Sequence, residues 1–209
     1  MYGADLAWHS GAFVAFAPSN DDSRQIGSIV DFEKIGVRSP AAIRPAPWMV
    51  DDVIGSTWGY TEGMKVSGGA AIVRRLVDTA SKNGFYLLNL SPKADGTIPF
   101  EQQRTLLEVG AWLGVNGEAI YGTHAWTRHA DGQWRFTARD GALYAIGPLD
   151  GAMAKLASLT PQAGKVGKVE LLGRAGALSC SQDAGGMTVQ LGAMAVGAFP
   201  VTLKITGLH

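Results

Sequence analysis

Two short stretches of this chain place polar and aromatic side chains close enough in sequence to act together. The first is Trp8-His9-Ser10, and the second runs from Trp48 to Asp52. A serine hydroxyl is a weak nucleophile without an adjacent base, and successive strand residues point to opposite faces, so His9 is poorly placed to activate Ser10. The thioether of Met49 has no proton to donate. Acid–base chemistry in the second stretch would therefore depend on its two carboxyl groups.

Three tryptophans lie in or near these stretches. Trp8, Trp48 and Trp58 each offer a large flat ring that can stack on a ligand. The same side chains also serve as packing residues at the ends of strands, so both interpretations stay open.

Composition and charge argue against several classes of protein. The 209 residues are 46% hydrophobic and 17% charged, which is enough apolar material for a core and unlike a disordered chain. The formal net charge is zero and the basic residues do not cluster, so we expect no nucleic-acid partner and no anionic membrane surface. No apolar run approaches the roughly 20 residues of a membrane span.

A metal or disulfide framework is not expected. Cys180 is the only cysteine, which excludes an intrachain disulfide and a cysteine-based zinc site, and the four histidines are scattered. We predict no metal and no cofactor, and a buried, unreactive Cys180 in an apolar strand. The start of the chain lacks the charged and apolar regions of a signal peptide, which leaves the localisation open.

Residues 1–125 show a strand–helix alternation. Short apolar runs within 5–8 and 13–17 predict buried strands. From Ile72 to Ala80 apolar residues repeat at helical spacing, with Ser67 as the predicted N-cap.

The alternation continues with Asn83-Gly84 as the predicted helix stop and residues 85–90 as a continuous buried strand. Pro99 predicts the first position of a second helix, with an apolar face between Leu106 and Leu113. This helix should end at Asn116-Gly117, before a strand starting at Ile120-Tyr121. Strands that alternate with helices imply a parallel sheet.

Residues 126–209 have the pattern of short strands separated by turns. Residues 134–137 and 143–146 flank Asp140-Gly141, which predicts a hairpin. Further strands are predicted at the spacing of an antiparallel sandwich, within 169–172, 178–180, 187–191 and 201–205. We place a domain boundary near residue 125, between an α/β part (1–125) and an all-β part (126–209).

Four sequence blocks resemble one known family in order and in spacing. They are Trp58-Gly59-Tyr60, Ile72–Asp78, Leu87–Gly96 and Val115–Gly122. This series is similar to that of the α-L-fucosidases of glycoside hydrolase family 29. The resemblance implies a (β/α)8-type barrel followed by a small β-sandwich, and retaining hydrolysis of terminal α-L-fucose. Family members are often secreted, periplasmic or lysosomal.

The nucleophile position implied by the resemblance holds a serine. In the family the nucleophile is the last Asp of a Tyr-x-x-x-Asp-x-x-Trp-Phe-Asp-Gly motif. Residues 2–11 are similar to it, with Ser10 in the nucleophile position and Trp8 as the aromatic residue; Asp5, Trp8 and Gly11 keep the family spacing, and Tyr2 lies one position closer to Asp5. The family then shows Asn-Asp-Arg, whose Arg contacts the sugar, whereas here Arg24 ends Asn20-Asp21-Asp22-Ser23-Arg24 and is displaced by two positions.

The acid/base position implied by the resemblance holds a methionine. In many members this residue is the Glu of Trp-Glu, and here Trp48 is followed by Met49. Asp51, Asp52 or Glu33 could substitute, or the two aspartates could simply cap or solvate a loop. Retention needs two carboxyl groups about 5–5.5 Å apart, one as nucleophile and one as proton donor.

The resemblance also implies that the first barrel strands would precede Met1. A complete barrel usually takes about 200 to 250 residues, whereas the α/β part here has 125. We therefore expect the C-terminal half of a barrel plus the sandwich, with open strand edges that favour self-association.

Three hypotheses of function follow. The chain is an inactive portion of an α-L-fucosidase, or a carbohydrate-binding or interaction module that still recognises fucose or a fucosylated glycan without catalysis. The third is a hydrolase with relocated acidic groups, completed by another polypeptide. Trp8, Arg24, Trp48 and Trp58 are the candidate sugar-binding residues.

Overall fold

The architecture comes from a computed structural model that describes residues 16–17, 29–33, 40–193 and 196–208. Trp8, Ser10 and Arg24 lie outside the described residues, as does the strand expected within 5–8. Phe16–Ala17, the end of the second expected strand, is a strand in the structure.

The first part of the chain forms a four-stranded parallel sheet. Its strands are β1 (Phe16–Ala17), β2 (Ile29–Glu33), β3 (Trp48–Val53) and β4 (Gly84–Asn89), and they are adjacent in that order. Every neighbouring pair is parallel. Helix α1 (Gly69–Ser81) connects β3 to β4, so the expected α/β pattern with parallel pairing is confirmed.

Helix α1 covers one face of this sheet. Ile72, Val73 and Val77 are buried on its inner side, as the helical spacing predicts, and Asn83 ends it in the left-handed region at φ 69°. The predicted cap is wrong, because the N-cap residue is Gly68. The Ser67 amide instead donates to the carbonyl of Ile54, which closes a loop.

Helix α2 (Phe100–Asn116) follows β4 and leads into a 3-10 turn at Gly117–Ala119. Pro99 takes the N-cap position, just before the first turn. The buried side of α2 carries Gln102, Thr105, Trp112 and Asn116, while Leu107 of the predicted apolar face is exposed. No strand begins at Ile120-Tyr121, which form a turn instead.

The two faces of the parallel sheet are covered unequally. Trp48 and Val50 of β3 are fully buried and pack with Phe32 of β2. On the opposite face of β4, Phe85 and Leu87 are exposed by 57% and 52%. The prediction of a strand buried on both sides is therefore wrong for β4, because no described element covers that second face.

The second part of the chain is antiparallel. Its strands are β5 (His124–Asp131), β6 (Trp134–Arg139), β7 (Ala142–Gly147), β8 (Met153–Leu156), β9 (Lys168–Leu171), β10 (Cys180–Asp183), β11 (Gly186–Gln190) and β12 (Val201–Thr206). One sheet has the order β5-β6-β7-β12-β9 and the other β10-β11-β8. The hairpin β6–β7 turns at Asp140-Gly141, both with positive φ, as predicted.

Both antiparallel sheets contribute to one apolar core. Phe136, Leu203 and Ile205 of the five-stranded sheet pack with Leu156 and Met187 of the other. Cys180 is exposed, so its predicted burial is wrong: the β10 residues lie on the outer strand of the smaller sheet. Strand β8 has no counterpart among the predicted strands.

A second core joins the two parts of the chain. Val73 and Val77 of α1 and Trp112 of α2 pack against Tyr144 and Ile146 of β7. The Trp112 indole donates to the carbonyl of Pro200 at 2.7 Å. The boundary predicted near residue 125 falls at the start of β5, and both helices, α1 and α2, contribute to this core shared with β7.

Candidate functional site

The candidate site lies on β2, β3 and β4, with Met49 near the amino end of β3, and on the loops at the carboxyl ends of these strands. In sheets of parallel strands, binding and catalytic groups gather at this edge because the strand–helix loops meet there. Strand β3 leads into the loop 54–68, and β4 leads into the loop 90–99. The first of these loops carries the exposed aromatic residues Trp58 and Tyr60.

Met49 and Asp51 lie on the same face of β3, two residues apart, and both are partly buried. In the strand ladders, Met49 pairs with Asp31 and Phe85, and Asp51 pairs with Glu33 and Leu87. Glu33 and Asp51 are therefore neighbours across two parallel strands, at the spacing of about 4.8 Å that separates paired strands.

Asp52 lies on the opposite face of β3, toward helix α1, and is 3% exposed. Its Oδ2 accepts a hydrogen bond from the Arg75 guanidinium at 2.9 Å and another from the Tyr86 hydroxyl at 2.8 Å. Burial and the neighbouring Asp52 carboxylate raise the pKa of Tyr86 well above its usual range. This carboxylate is thus engaged in a packed ion pair and does not share the face of Met49.

Neither aspartate caps a loop. Both belong to the regular part of β3, which corrects the interpretation of Asp51 and Asp52 as loop residues. The alternating directions of strand side chains separate them: Asp51 lies on the face with Phe85 and Leu87, and Asp52 on the face covered by α1.

The structure places Trp48 in the interior and Trp58 at the surface. Trp48 has no accessible surface, and its indole nitrogen donates to the Lys82 carbonyl at 2.9 Å. A ring without a free face cannot stack on a ligand, so the packing interpretation describes Trp48. Trp58 is 39% exposed and remains available.

A cation bridges the two loops. The Lys93 ammonium lies 6.0 Å from the centre of the Tyr60 ring, at the outer limit of a cation–π contact. The loop 90–99 is itself ordered by a turn, in which the Asp95 carboxylate accepts from the amide and the hydroxyl of Thr97. These hydrogen bonds hold the pKa of Asp95 below its usual value.

Several polar residues of this edge were not predicted from the sequence to be site residues, although Asn89 and Ser91 belong to the block Leu87–Gly96. Gln102 is completely buried in the first turn of α2 and bonds to the backbone of Ser91, and Asn89 and Ser91 both donate to the carbonyl of Trp58. One signal was present in the sequence: Gln102 lies on the helical stripe that continues through Thr105, Trp112 and Asn116, and a polar residue on a buried stripe indicates a buried hydrogen-bond network.

Among the described residues, no group of three or more His, Cys, Asp or Glu side chains is arranged to hold a metal ion. Within the same residues, no helix is long and apolar enough to cross a membrane.

Parallel strands whose carboxyl ends lead into loops with exposed aromatic residues are an arrangement shared by α/β enzymes, including those of the barrel type. The family model of alpha-L-fucosidase matches residues 13–118, about half of the chain. The chain therefore belongs to the alpha-L-fucosidase family.

The relatives extend well beyond this chain. Tissue alpha-L-fucosidase of Rattus norvegicus is 38% identical over 187 residues, covering 81% of this chain but 39% of the relative. The human tissue enzyme is 35% identical over 168 residues, covering 73% of this chain and 35% of the relative. The chain thus spans less than two fifths of the length of these relatives.

Solved structures show the same partial correspondence. Alpha-L-fucosidase isoenzyme 1 from Paenibacillus thiaminolyticus superposes with a TM-score of 0.77 at 26% identity, over 88% of this chain and 45% of that one. The Thermotoga maritima alpha-fucosidase in complex with fucose gives a TM-score of 0.70 at 25% identity, over 85% and 42%.

Proposed function

We propose that this chain is the C-terminal portion of an α-L-fucosidase, comprising half of a (β/α)8-type barrel and the antiparallel sandwich, and that it does not catalyse hydrolysis by itself. The observation that carries this proposal is Met49. It lies on β3 at the position where the family resemblance implies the proton donor, and a thioether cannot protonate a leaving group.

The chemistry of retention explains why this substitution matters. Cleavage requires an ionised nucleophile and a carboxylic acid with a raised pKa, held about 5–5.5 Å apart. By resemblance the nucleophile position is Ser10, whose hydroxyl stays protonated near neutral pH without a base. A chain with both replacements lacks the covalent step and the proton transfer, whatever sugar it binds.

One observation favours a second candidate, a hydrolase with relocated carboxyl groups. Glu33 and Asp51 are register partners on adjacent parallel strands. Their backbones are therefore at the strand spacing of about 4.8 Å, and a retaining mechanism needs two carboxyl groups about 5–5.5 Å apart. Asp52 does not serve here, because Arg75 and Tyr86 occupy its carboxylate on the other face.

The surface that supports ligand recognition is the exposed pair Trp58 and Tyr60. Aromatic rings with one free face bind the apolar side of a sugar. If these rings still contact fucose or a fucosylated glycan, the chain acts as a recognition module without turnover.

The test is an assay of the purified chain with 4-nitrophenyl α-L-fucoside, beside calorimetric titration with fucose. We expect no release of nitrophenol above the buffer rate. The double variant Ser10→Asp/Met49→Glu is also expected to stay inactive, because the resemblance implies that the first barrel strands are a further requirement; strong activity of this variant would refute that requirement. Heat of binding without turnover would establish the recognition module. If fucose gives no heat of binding either, the hypothesis of an inactive portion of an α-L-fucosidase is supported.

Turnover by the wild-type chain would contradict the proposal. The variant Asp51→Asn then tests whether Glu33 and Asp51 are the relocated carboxyl groups. If Asp51 supplies a catalytic carboxyl group, this variant should abolish hydrolysis. Asp150→Asn is the matched control, since Asp150 is an exposed residue between β7 and β8.

A further inference from the structure

Gln102 is a buried polar side chain with a complete set of backbone partners. It has no accessible surface, its Oε1 accepts the Ser91 amide at 3.0 Å, and its Nε2 donates to the Ser91 carbonyl at 3.0 Å. A backbone amide only donates and a carbonyl only accepts, so these contacts determine the orientation of the side-chain amide. Burying such a group is unfavourable without partners, and here the partners fix the backbone of Ser91 on both sides.

Ser91 and its neighbour in β4 in turn hold one carbonyl group. The Ser91 hydroxyl donates to the Trp58 carbonyl at 3.0 Å, and the Asn89 side-chain amide donates to the same oxygen at 2.9 Å. Two donors converge on a single acceptor in the middle of the loop 54–68. The backbone of Trp58 is thus held by the side chains of one residue of β4 and one residue just after it. These contacts add to those at the two ends of the loop.

The ends of that loop are closed separately. The Ser67 amide donates to the Ile54 carbonyl at 2.8 Å, and Gly55 and Val66 form a β-bridge. The Thr105 hydroxyl donates to the Ser67 carbonyl at 2.8 Å. These contacts hold the two ends of the loop together. The hydrogen bonds to the Trp58 carbonyl act in the middle of the loop, where the indole is exposed.

We propose that Gln102, Ser91 and Asn89 are positioning residues that hold Trp58 at the carboxyl edge of the parallel sheet for contact with a sugar. Gln102 orients Ser91, and Ser91 with Asn89 fixes the carbonyl from which the exposed indole extends. The sugar contact rests on the proposed function, whereas the orientation of Trp58 is a property of this chain alone.

The test uses the full chain labelled with 5-fluorotryptophan and observed by fluorine NMR. The chain has six tryptophans, and the Trp58→Phe variant assigns the Trp58 resonance. In Asn89→Ala and in Asn89→Ala/Ser91→Ala, the Trp58 resonance should move toward that of free 5-fluorotryptophan while the remaining resonances stay in place. The single variant Ser91→Thr keeps the hydroxyl and should leave the Trp58 resonance at its wild-type position.

Gln102→Met and Gln103→Leu form a matched pair on one helix turn. Gln102→Met removes both bonds to Ser91 and should displace the Trp58 resonance. Gln103 bonds instead to the Ile98 carbonyl, so Gln103→Leu should leave the Trp58 resonance unchanged.

An unchanged Trp58 resonance in Asn89→Ala and in the double variant overturns the positioning role. If Ser91→Ala prevents folding, Asn89→Ala decides alone, because Asn89 is only partly buried and donates directly to the carbonyl.

Titration with methyl α-L-fucoside separates the sugar contact from the positioning role. The wild-type Trp58 resonance should shift when the sugar binds. The affinity of the wild type should be about fivefold higher than that of Asn89→Ala, because the variant loses one hydrogen bond that positions Trp58. No response in the wild type would refute the sugar contact, while the resonance positions without sugar would still decide the positioning role.

Discussion

At the scale of single residues, Trp48 and Trp58 have opposite surroundings, although Trp48 begins β3 and Trp58 lies in the loop that follows the same strand. Trp48 packs edge-on against Phe32, with ring centres 5.6 Å apart, and its ring lies directly over Gly84. A Cβ atom at Gly84 would come within 2.4 Å of that ring, so the glycine is required by close approach. Trp58 contributes its backbone carbonyl to the structure, and its ring is partly free.

The two tryptophans should therefore respond differently to truncation. Trp48→Ala should lower the free energy of unfolding by about 3–5 kcal/mol, because it leaves a large cavity and an unpaired Lys82 carbonyl. Trp58→Ala should change it by less than about 1 kcal/mol, as expected for a surface side chain. Urea denaturation followed by circular dichroism measures both, and equal losses would contradict the assignment.

Sequence alone could not separate these two residues. Their difference comes from contacts with Lys82 and Gly84, which are more than thirty positions away from Trp48 in the chain. The same applies to Gln102, whose partners lie in the preceding loop. The sequence shows that Gln102 is a polar residue on the buried side of a helix. The identity of its partner depends on how α2 packs against the loop that follows β4.

At the scale of elements, Asp78 connects helix α1 to strand β6. Its carboxylate accepts hydrogen bonds from Lys82 at 2.6 Å and from Arg135 at 2.7 Å. Burial raises the pKa of Asp78, but the bonds from Lys82 and Arg135 outweigh it, so the pKa lies below its ordinary value of 3.8. The ionised form of Asp78 thus stabilises the contact between the two parts of the chain.

This pairing should make stability depend on pH in acid. A carboxyl group whose pKa is lower in the folded state contributes stability above its unfolded pKa and loses it as the pH falls through the folded pKa. In Asp78→Asn the decline in unfolding free energy below about pH 4 should therefore be shallower than in the wild type. Chemical denaturation at several pH values measures it.

The neighbouring histidine requires a control in that experiment. Burial and the charges of Lys82 and Arg135 lower the pKa of His129, so its protonation also destabilises the fold as the pH falls. Both proteins should be compared in a His129→Asn background. Identical slopes with and without Asp78 would show that the ion pairs contribute nothing to stability.

Local sequence patterns predicted most helices and strands. They failed where contacts with an element far away in the sequence determine the structure. The spacing of Ile72, Val73 and Val77 predicted α1, and the Asp140-Gly141 turn predicted the β6–β7 hairpin. Strand β8 was missed because its four residues are defined by pairing with β11, about thirty residues later. Ser67 resembles a helix cap by type, yet its amide is used to close a loop.

At the scale of the whole molecule, the two parts of the chain are not separate bodies. Tyr144 and Ile146 of β7 share a core with Val73 and Val77 of α1, and the Arg74 guanidinium donates to the Ala198 carbonyl. The division at residue 125 thus describes a change of architecture along the sequence. Removing either part would expose the apolar face of the other.

On the side opposite to α1, no described element covers the parallel sheet, in contrast to an ordinary parallel sheet buried on both faces. Phe85 and Leu87 project from β4 on the side opposite to α1, and Met49 lies on the same face of β3. Exposed apolar side chains on neighbouring strands are a common cause of association. We therefore expect the wild-type chain to self-associate, with a mass that rises with concentration in size-exclusion chromatography with light scattering.

Phe85→Lys/Leu87→Lys should shift the chain toward the monomer, because two charges on that face make its burial against another copy unfavourable. Leu107→Lys is the matched control: Leu107 is 75% exposed but lies on helix α2. It should leave the mass distribution unchanged if the open sheet face drives association. A wild-type monomer at all concentrations would refute the expectation, and an equal effect of Leu107→Lys would assign the association to general surface hydrophobicity.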